Sequence, residues 1–119
     1  MMKGMITILC LLCCMVAGSR NVPEPKREFR GSWIQCVNGQ FEGLSPEAMR
    51  QKLTQHLDAL EKCHVNAVMF QVRAEADALY PSKLEPWSRF LTGRQGKAPE
   101  PYWDPLAWMI QQCHQRGME

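Results

Sequence analysis

The sequence predicts an α/β fold laid out as strand–helix–strand–helix, and three features carry that expectation. Ser45-Pro46-Glu47 is a helix start, opening a segment whose apolar residues recur every three or four positions. Asn66 to Arg73 (NAVMFQVR) is a nearly continuous apolar run, as a parallel strand covered on both faces requires. Asp104-Pro105 is a second helix start, and the segment it opens closes on Gly117.

From the N-terminus, residues 1–19 read as a signal peptide. Lys3 supplies a positive start, Ile6 to Val16 an apolar core, and Val16-Ala17-Gly18-Ser19 small residues for cleavage. That core is far shorter than the roughly 20 residues that span a bilayer. Cys13 and Cys14 raise a lipoprotein signal as the alternative, with membrane attachment through a lipidated N-terminus. Neither follows the small residue such a site usually has, since Leu12 and Cys13 stand there. On either reading the chain is exported, to the periplasm, the cell surface or the medium. Residues 20–28, with Pro23 and Pro25, form a polar linker, and 29–119 the folded body.

Phe29 to Val37 (FRGSWIQCV) is rich in aromatic and β-branched residues and reads as the first strand, with Asn38-Gly39 turning the chain out of it. In the helix that follows, Ser45 caps an orphan N–H, Pro46 has no N–H to waste, and Glu47 suits the positive end of the dipole. Met49, Leu53, Leu57 and Leu60 make its buried face. Residues 74–103 hold prolines, glycines and aromatics without a period, so a long loop with short helical turns is expected. In the last helix Leu106, Met109, Ile110 and Cys113 form the stripe, and His114 and Arg116 suit the negative end of the dipole.

Composition narrows the function classes. With 45% hydrophobic and 22% charged residues the chain is globular rather than disordered. A formal net charge of +2 with no basic run gives no reason to expect nucleic acid as partner. No Gly-rich phosphate cradle and no Gly-x-Ser-x-Gly elbow is present, so phosphoryl transfer, hydride transfer and serine hydrolase chemistry gain no support, and no cofactor is implied. Outside the leader only Cys36, Cys63 and Cys113 remain, too few and too scattered for a disulfide framework; they read as buried small hydrophobes. Cys63-His64 and Cys113-His114 lack zinc spacing, and adjacent helical residues point about 100° apart, so no metal site is expected.

The phrases Arg30-Gly31-Ser32-Trp33, Asn66 to Arg73, Asp77-Ala78-Leu79-Tyr80-Pro81-Ser82, Glu85-Pro86-Trp87-Ser88, Leu91-Thr92-Gly93, Asp104-Pro105-Leu106 and His114 to Glu119 resemble the bacterial glycosyl hydrolase-like family 10, over residues 27–119. The resemblance implies an exported TIM barrel of eight strands, of which this chain holds the N-terminal βαβα portion, truncated after the second helix. Two strands leave apolar flanks wet, so the native protein is expected to continue, and the fragment alone to fold poorly, with an unpaired edge inviting association. The sequence departs from the family's pattern at Ala74 and Ala76, where Pro and Gly are usual, at His64, where Gly is common, and at Trp103, which looks inserted. Despite His64, the helix cap there is expected to survive with some strain.

The C-terminal ends of barrel strands line the active face, which makes Arg73 a candidate for holding a substrate hydroxyl or carboxylate. The plainer alternative is an ion pair with Glu75 or Asp77. Those two acids share one short loop and would hardly bracket a sugar, since glycosidases set their carboxylates roughly 5–9.5 Å apart on either side of the bond. Asp77, Tyr80 and Trp87 join Arg73 as candidate substrate-binding residues, because flat rings stack on sugar C–H faces; the alternative for the acids is solvated loop charge and for the rings local packing, the latter favoured for Phe90. The catalytic carboxylates are unknown and expected beyond Glu119. The resulting expectation is a fragment of a glycoside hydrolase acting on a cell-envelope or extracellular glycan and inactive alone. Its competitors are a non-catalytic carbohydrate-binding barrel and a small βαβα interaction module.

Overall fold

The computed structural model describes residues 27–119, so the signal peptide and most of the linker lie outside the described residues. The element order is β1 (Gly31–Ile34), α1 (Pro46–Lys62), β2 (Ala67–Phe70), a short α2 (Arg89–Thr92) and α3 (Pro105–Gln115). β1 and β2 pair in parallel, Gly31 opposite Ala67 through Ile34 opposite Phe70, with α1 as the crossover between them.

Local chemistry sets the helix starts. Ser45 Oγ accepts from the Ala48 N–H at 3.2 Å, Asp104 Oδ1 from the Ala107 N–H at 3.0 Å, and a proline occupies the first helical position in both. Met49, Leu53 and Leu57 of α1 and Met109 and Cys113 of α3 are buried in a common core with Ile34, Phe41, Leu79 and Met118. Arg116 ties the end of α3 to α1: its guanidinium donates to Asp58 Oδ1 at 2.7 and 3.1 Å, and back to the Gln112 carbonyl at 3.0 Å. Two apolar expectations are corrected. Ile110 is exposed beside the cavity that it lines with Val68 and Phe70, and Cys63 is exposed because it stands at the C-cap of α1 rather than on its buried face.

Both strands are shorter than the apolar runs that announce them, because side chains replace the ladder at each end. Asn66 stands at the entry. Its N–H donates to the Arg30 carbonyl at 2.9 Å, its Oδ1 accepts from the Arg30 N–H at 2.8 Å, and its Nδ2 donates to the Glu28 carbonyl at 2.6 Å. Gln71 stands at the exit: its N–H makes a last backbone bond to Ile34, and its Oε1 accepts from the Cys36 N–H at 3.1 Å. On the other edge of β2, the Glu119 N–H donates to the Asn66 carbonyl at 2.9 Å and the Glu119 carbonyl accepts from the Val68 N–H at 2.7 Å. Glu119 thus stands beside Ala67 as a residue of a third parallel strand would.

One face of the sheet is covered and the other is not. Val68, Phe70 and Ile34 pack on the helices. Trp33 at 62%, Phe29 at 73% and Met69 at 37% remain exposed on the described residues. Phe29 folds its ring over Gly31, where an added Cβ would lie 2.5 Å from it.

The cap at His64 does survive. With φ of 57°, His64 donates to the Glu61 carbonyl at 2.9 Å, and the Val65 N–H reaches the Leu60 carbonyl at 3.0 Å. A left-handed non-glycine residue carries about 1–2 kcal/mol of strain, partly offset in glycine by greater chain entropy. His64→Gly is therefore expected to raise stability by about 0.5–1 kcal/mol. Urea unfolding checks this, and a lower midpoint would contradict it.

Candidate strand-end binding site

The C-terminal ends of β1 and β2 feed the segments 35–45 and 71–88, and the second is folded tightly rather than slack. The Leu79 N–H returns to the Val72 carbonyl at 2.9 Å, closing a loop over residues 72–79. Ala78 bridges Trp87 through bonds to Pro86 and Ser88, both 2.9 Å, and the Ser88 hydroxyl caps α2.

Asp77 organises the first turn from inside. It is fully buried; Oδ1 accepts from the Ala74 and Glu75 N–H groups at 3.3 and 3.1 Å, while Oδ2 has no hydrogen-bond partner among the described residues. Ala76 between them takes a φ of 53°, a conformation glycine adopts without penalty. Burial, reinforced by the nearby Asp77 charge, pushes the Cys36 thiol up to about 11, which keeps it protonated and unreactive at neutral pH.

Two ion pairs span the loop. Arg73 pairs with Glu85, and Arg89 grips Glu75 through two bonds of 2.8 Å. Arg73 is thus ion-paired, but with Glu85 rather than with either acid nearer in sequence. Glu75 is engaged by Arg89 and Asp77 is sealed inside, so neither carboxylate stands free on the loop surface. Glu85 and Arg89 are the residues that sequence reasoning missed. Glu85 does lie in the Glu85-Pro86-Trp87-Ser88 phrase, which was the one available signal.

Arg89's hydrogen bonds, with its charge behind them, hold the Glu75 carboxyl below its ordinary 4.5 despite some desolvation and the opposing Asp77 charge. A depressed folded value means that the pair's contribution is complete above the unfolded value and is lost as pH falls through the folded one. NMR titration of Glu75 in the folded chain should give a midpoint below 4.5, returning towards that value in Arg89→Gln. An unchanged midpoint in the variant would contradict the assignment.

The aromatic residues divide. Trp87 and Tyr80 are half-buried, and Trp87 meets the exposed Tyr102 edge to face at 5.9 Å. Phe90 is buried beneath the Arg89 guanidinium, which lies 4.2 Å from its centroid. Trp103, which looks inserted in the sequence, is packed: only 7% exposed, edge-on to Trp108, with Arg50 over its ring at 4.6 Å. Arg73 and the Trp87–Tyr102 pair thus keep exposed surface on the loop, Tyr80 is half-buried, and Asp77 is fully buried.

Residues 28–119 match the model of the family described as glycosyl hydrolase-like 10. The chain is 43% identical over 100 residues to "Glycosyl hydrolase YngK" of Bacillus subtilis (strain 168), a match covering 81% of this chain and 19% of that protein. It is 41% identical over 117 residues to "Glycosyl hydrolase DigH" of Escherichia coli (strain K12), covering 87% of this chain and 26% of that protein. It therefore spans about a fifth to a quarter of the length of these relatives. Together, the family match across almost all the described residues and these identities establish that the chain belongs to the glycosyl hydrolase-like 10 family.

Proposed function

We propose that this chain supplies the first two strand–helix units of a TIM-barrel glycoside hydrolase, and that the loop after β2 forms part of its carbohydrate-binding face. The observation that carries the reading is the loop itself. It is rigidly tied at the C-terminal end of a parallel strand, and it combines a guanidinium, Arg73, with the rings of Tyr80 and Trp87. Planar rings and a hydrogen-bonding cation suit the alternating C–H and hydroxyl surface of a sugar.

The catalytic carboxylates come from outside residues 27–119 in this proposal. Glu75 and Asp77 support the loop: one is held by Arg89, the other is buried on two backbone N–H groups. Export, and a glycan of the cell envelope or its surroundings as substrate, complete the reading; the composition of residues 1–19 supports the former. The uncovered face around Trp33 and Met69 favours further packing there, and the pairing of Glu119 with β2 favours a sheet that extends past that edge.

Calorimetry with a panel of neutral oligosaccharides tests this. The chain is expected to bind without releasing reducing ends, and Trp87→Ala and Arg73→Ala each to weaken binding about tenfold or more, one lost contact of roughly 1.4 kcal/mol. Binding that is indifferent to both substitutions would refute the assignment of the loop; hydrolysis by the chain alone would refute the placement of the acids.

A further inference from the structure

The two ion pairs of the strand-end loop are not alike, and we infer that one of them reads the sugar. Arg73 and Glu85 together bind two neighbouring hydroxyls of a neutral sugar ring, and Glu85 turns acidic sugars away. This rests on the carbohydrate reading of the loop and deepens it, adding Glu85 as a binding residue and naming the class of sugar.

Arg89 and Glu75 form a closed pair. Arg89 Nε and Nη2 donate to Glu75 Oε2 and Oε1, both at 2.8 Å, so both carboxylate oxygens are taken. Arg73 and Glu85 meet end-on instead, by a single bond from Nη2 to Oε1. Among the described residues neither side chain makes any other hydrogen bond, which leaves Glu85 Oε2 as an acceptor and Arg73 Nε and Nη1 as donors. Solvent reaches both groups, since 52% of the Arg73 side chain and 22% of the Glu85 side chain stay exposed. The backbone holds each of them from two sides. Next to Arg73, the Val72 carbonyl accepts from Leu79 at 2.9 Å and the Ala74 N–H donates to Asp77. The Glu85 N–H donates to Ser82 Oγ at 3.1 Å, and the following Pro86 carbonyl accepts from Ala78 at 2.9 Å. A donor and an acceptor fixed in this way lose little freedom when a ligand arrives.

An arginine and a glutamate already in contact set donor and acceptor about one hydrogen bond apart, as are the oxygens of neighbouring hydroxyls on a pyranose. A hydroxyl both accepts and donates, so one takes an Arg73 N–H while its neighbour gives its proton to Glu85 Oε2. A carboxylate on the sugar cannot do the second. It has no proton to give, and it meets the Glu85 charge at short range. Over residues 73–89, Arg73, Lys83 and Arg89 are matched by Glu75, Asp77 and Glu85, so no net positive charge draws an acidic sugar to the loop. Trp87, two residues from Glu85, supplies the flat ring for the C–H face of the same sugar.

The test is calorimetry of the full chain at low ionic strength, each neutral oligosaccharide of the panel being set against its own C6 carboxylate (for cellotetraose, the tetraglucuronate). The unaltered chain should bind the neutral member about fivefold more tightly or better, the scale of one like-charge contact near the surface. Glu85→Gln keeps the size of the side chain and removes its charge. Binding of the carboxylate should then rise about fivefold while the neutral sugar loses affinity. Glu85→Asp keeps the charge and should keep the order of preference. A pair that merely braced the loop would weaken both series alike when cut. An unchanged ratio in Glu85→Gln therefore overturns the inference, as does a preference of the unaltered chain for the carboxylate. If Trp87→Ala still weakens binding in that case, the carbohydrate face stands and only the role of Glu85 falls; if neither series binds, both fall.

Discussion

Asp77→Ala should destabilise the chain by about 3 kcal/mol, the largest effect expected from any polar residue here. The substitution strips two part-buried N–H groups, those of Ala74 and Glu75, of their common acceptor and leaves a void where a fully buried side chain stood. Each unsatisfied buried donor costs about 1–3 kcal/mol. Asp77→Asn separates this loss from any need for charge. It keeps Oδ1 as acceptor but puts an amide donor where the partnerless oxygen stood, so a cost of about 1–2 kcal/mol, smaller than for alanine, is expected. It also removes the charge that adds to burial in holding the Cys36 thiol near 11, so that thiol should titrate lower in the variant. Urea unfolding and a thiolate absorbance titration check both arms. Equal losses for Ala and Asn would mean that the Oδ1 acceptor is not what the loop depends on.

Asn66→Ala is expected to cost about 2 kcal/mol, with Asn66→Asp intermediate. The side chain bridges Arg30 N–H and the Glu28 carbonyl, and net contributions of about 0.5–1.5 kcal/mol per bond set the scale, with half-burial limiting any further penalty. Aspartate keeps the acceptor for Arg30 but loses the donor to Glu28. Because the backbone of the same residue meets Arg30 on one side and Glu119 on the other, the substitution should also speed amide exchange at Val68 and Glu119. Changes within 0.5 kcal/mol for both variants, with exchange unaltered, would show that the sheet's register does not depend on this side chain.

What could be read from the chain beforehand was whatever its local chemistry decides. Ser45 and Asp104 cap the helices they announce, because a cap needs only its own next three residues. The parallel strand pair followed from the spacing between two apolar runs. The strand ends did not, since Asn66 and Gln71 act on partners about 35 residues away that no local pattern names. At the site, the loop's position and its mixture of Arg73 with aromatic residues were legible. The pairing of Arg73 with Glu85, twelve residues distant within an irregular loop, was not. Composition likewise gave no way to tell the buried Asp77 from the surface-bound Glu75, or the packed Trp103 from the open Tyr102. Burial is decided by how the loop folds back on itself, through contacts such as Ala78 with Trp87.

Mapping a bound oligosaccharide by hydrogen–deuterium exchange tests the functional account most directly. Saturation with the tightest-binding member of the panel should slow exchange in residues 71–88, at the exit of β2. The entry end, residues 27–31 and 63–66, should not change. Protection at the entry end, or none in the loop while binding is saturated, would contradict the placement of the sugar on Arg73, Tyr80 and Trp87.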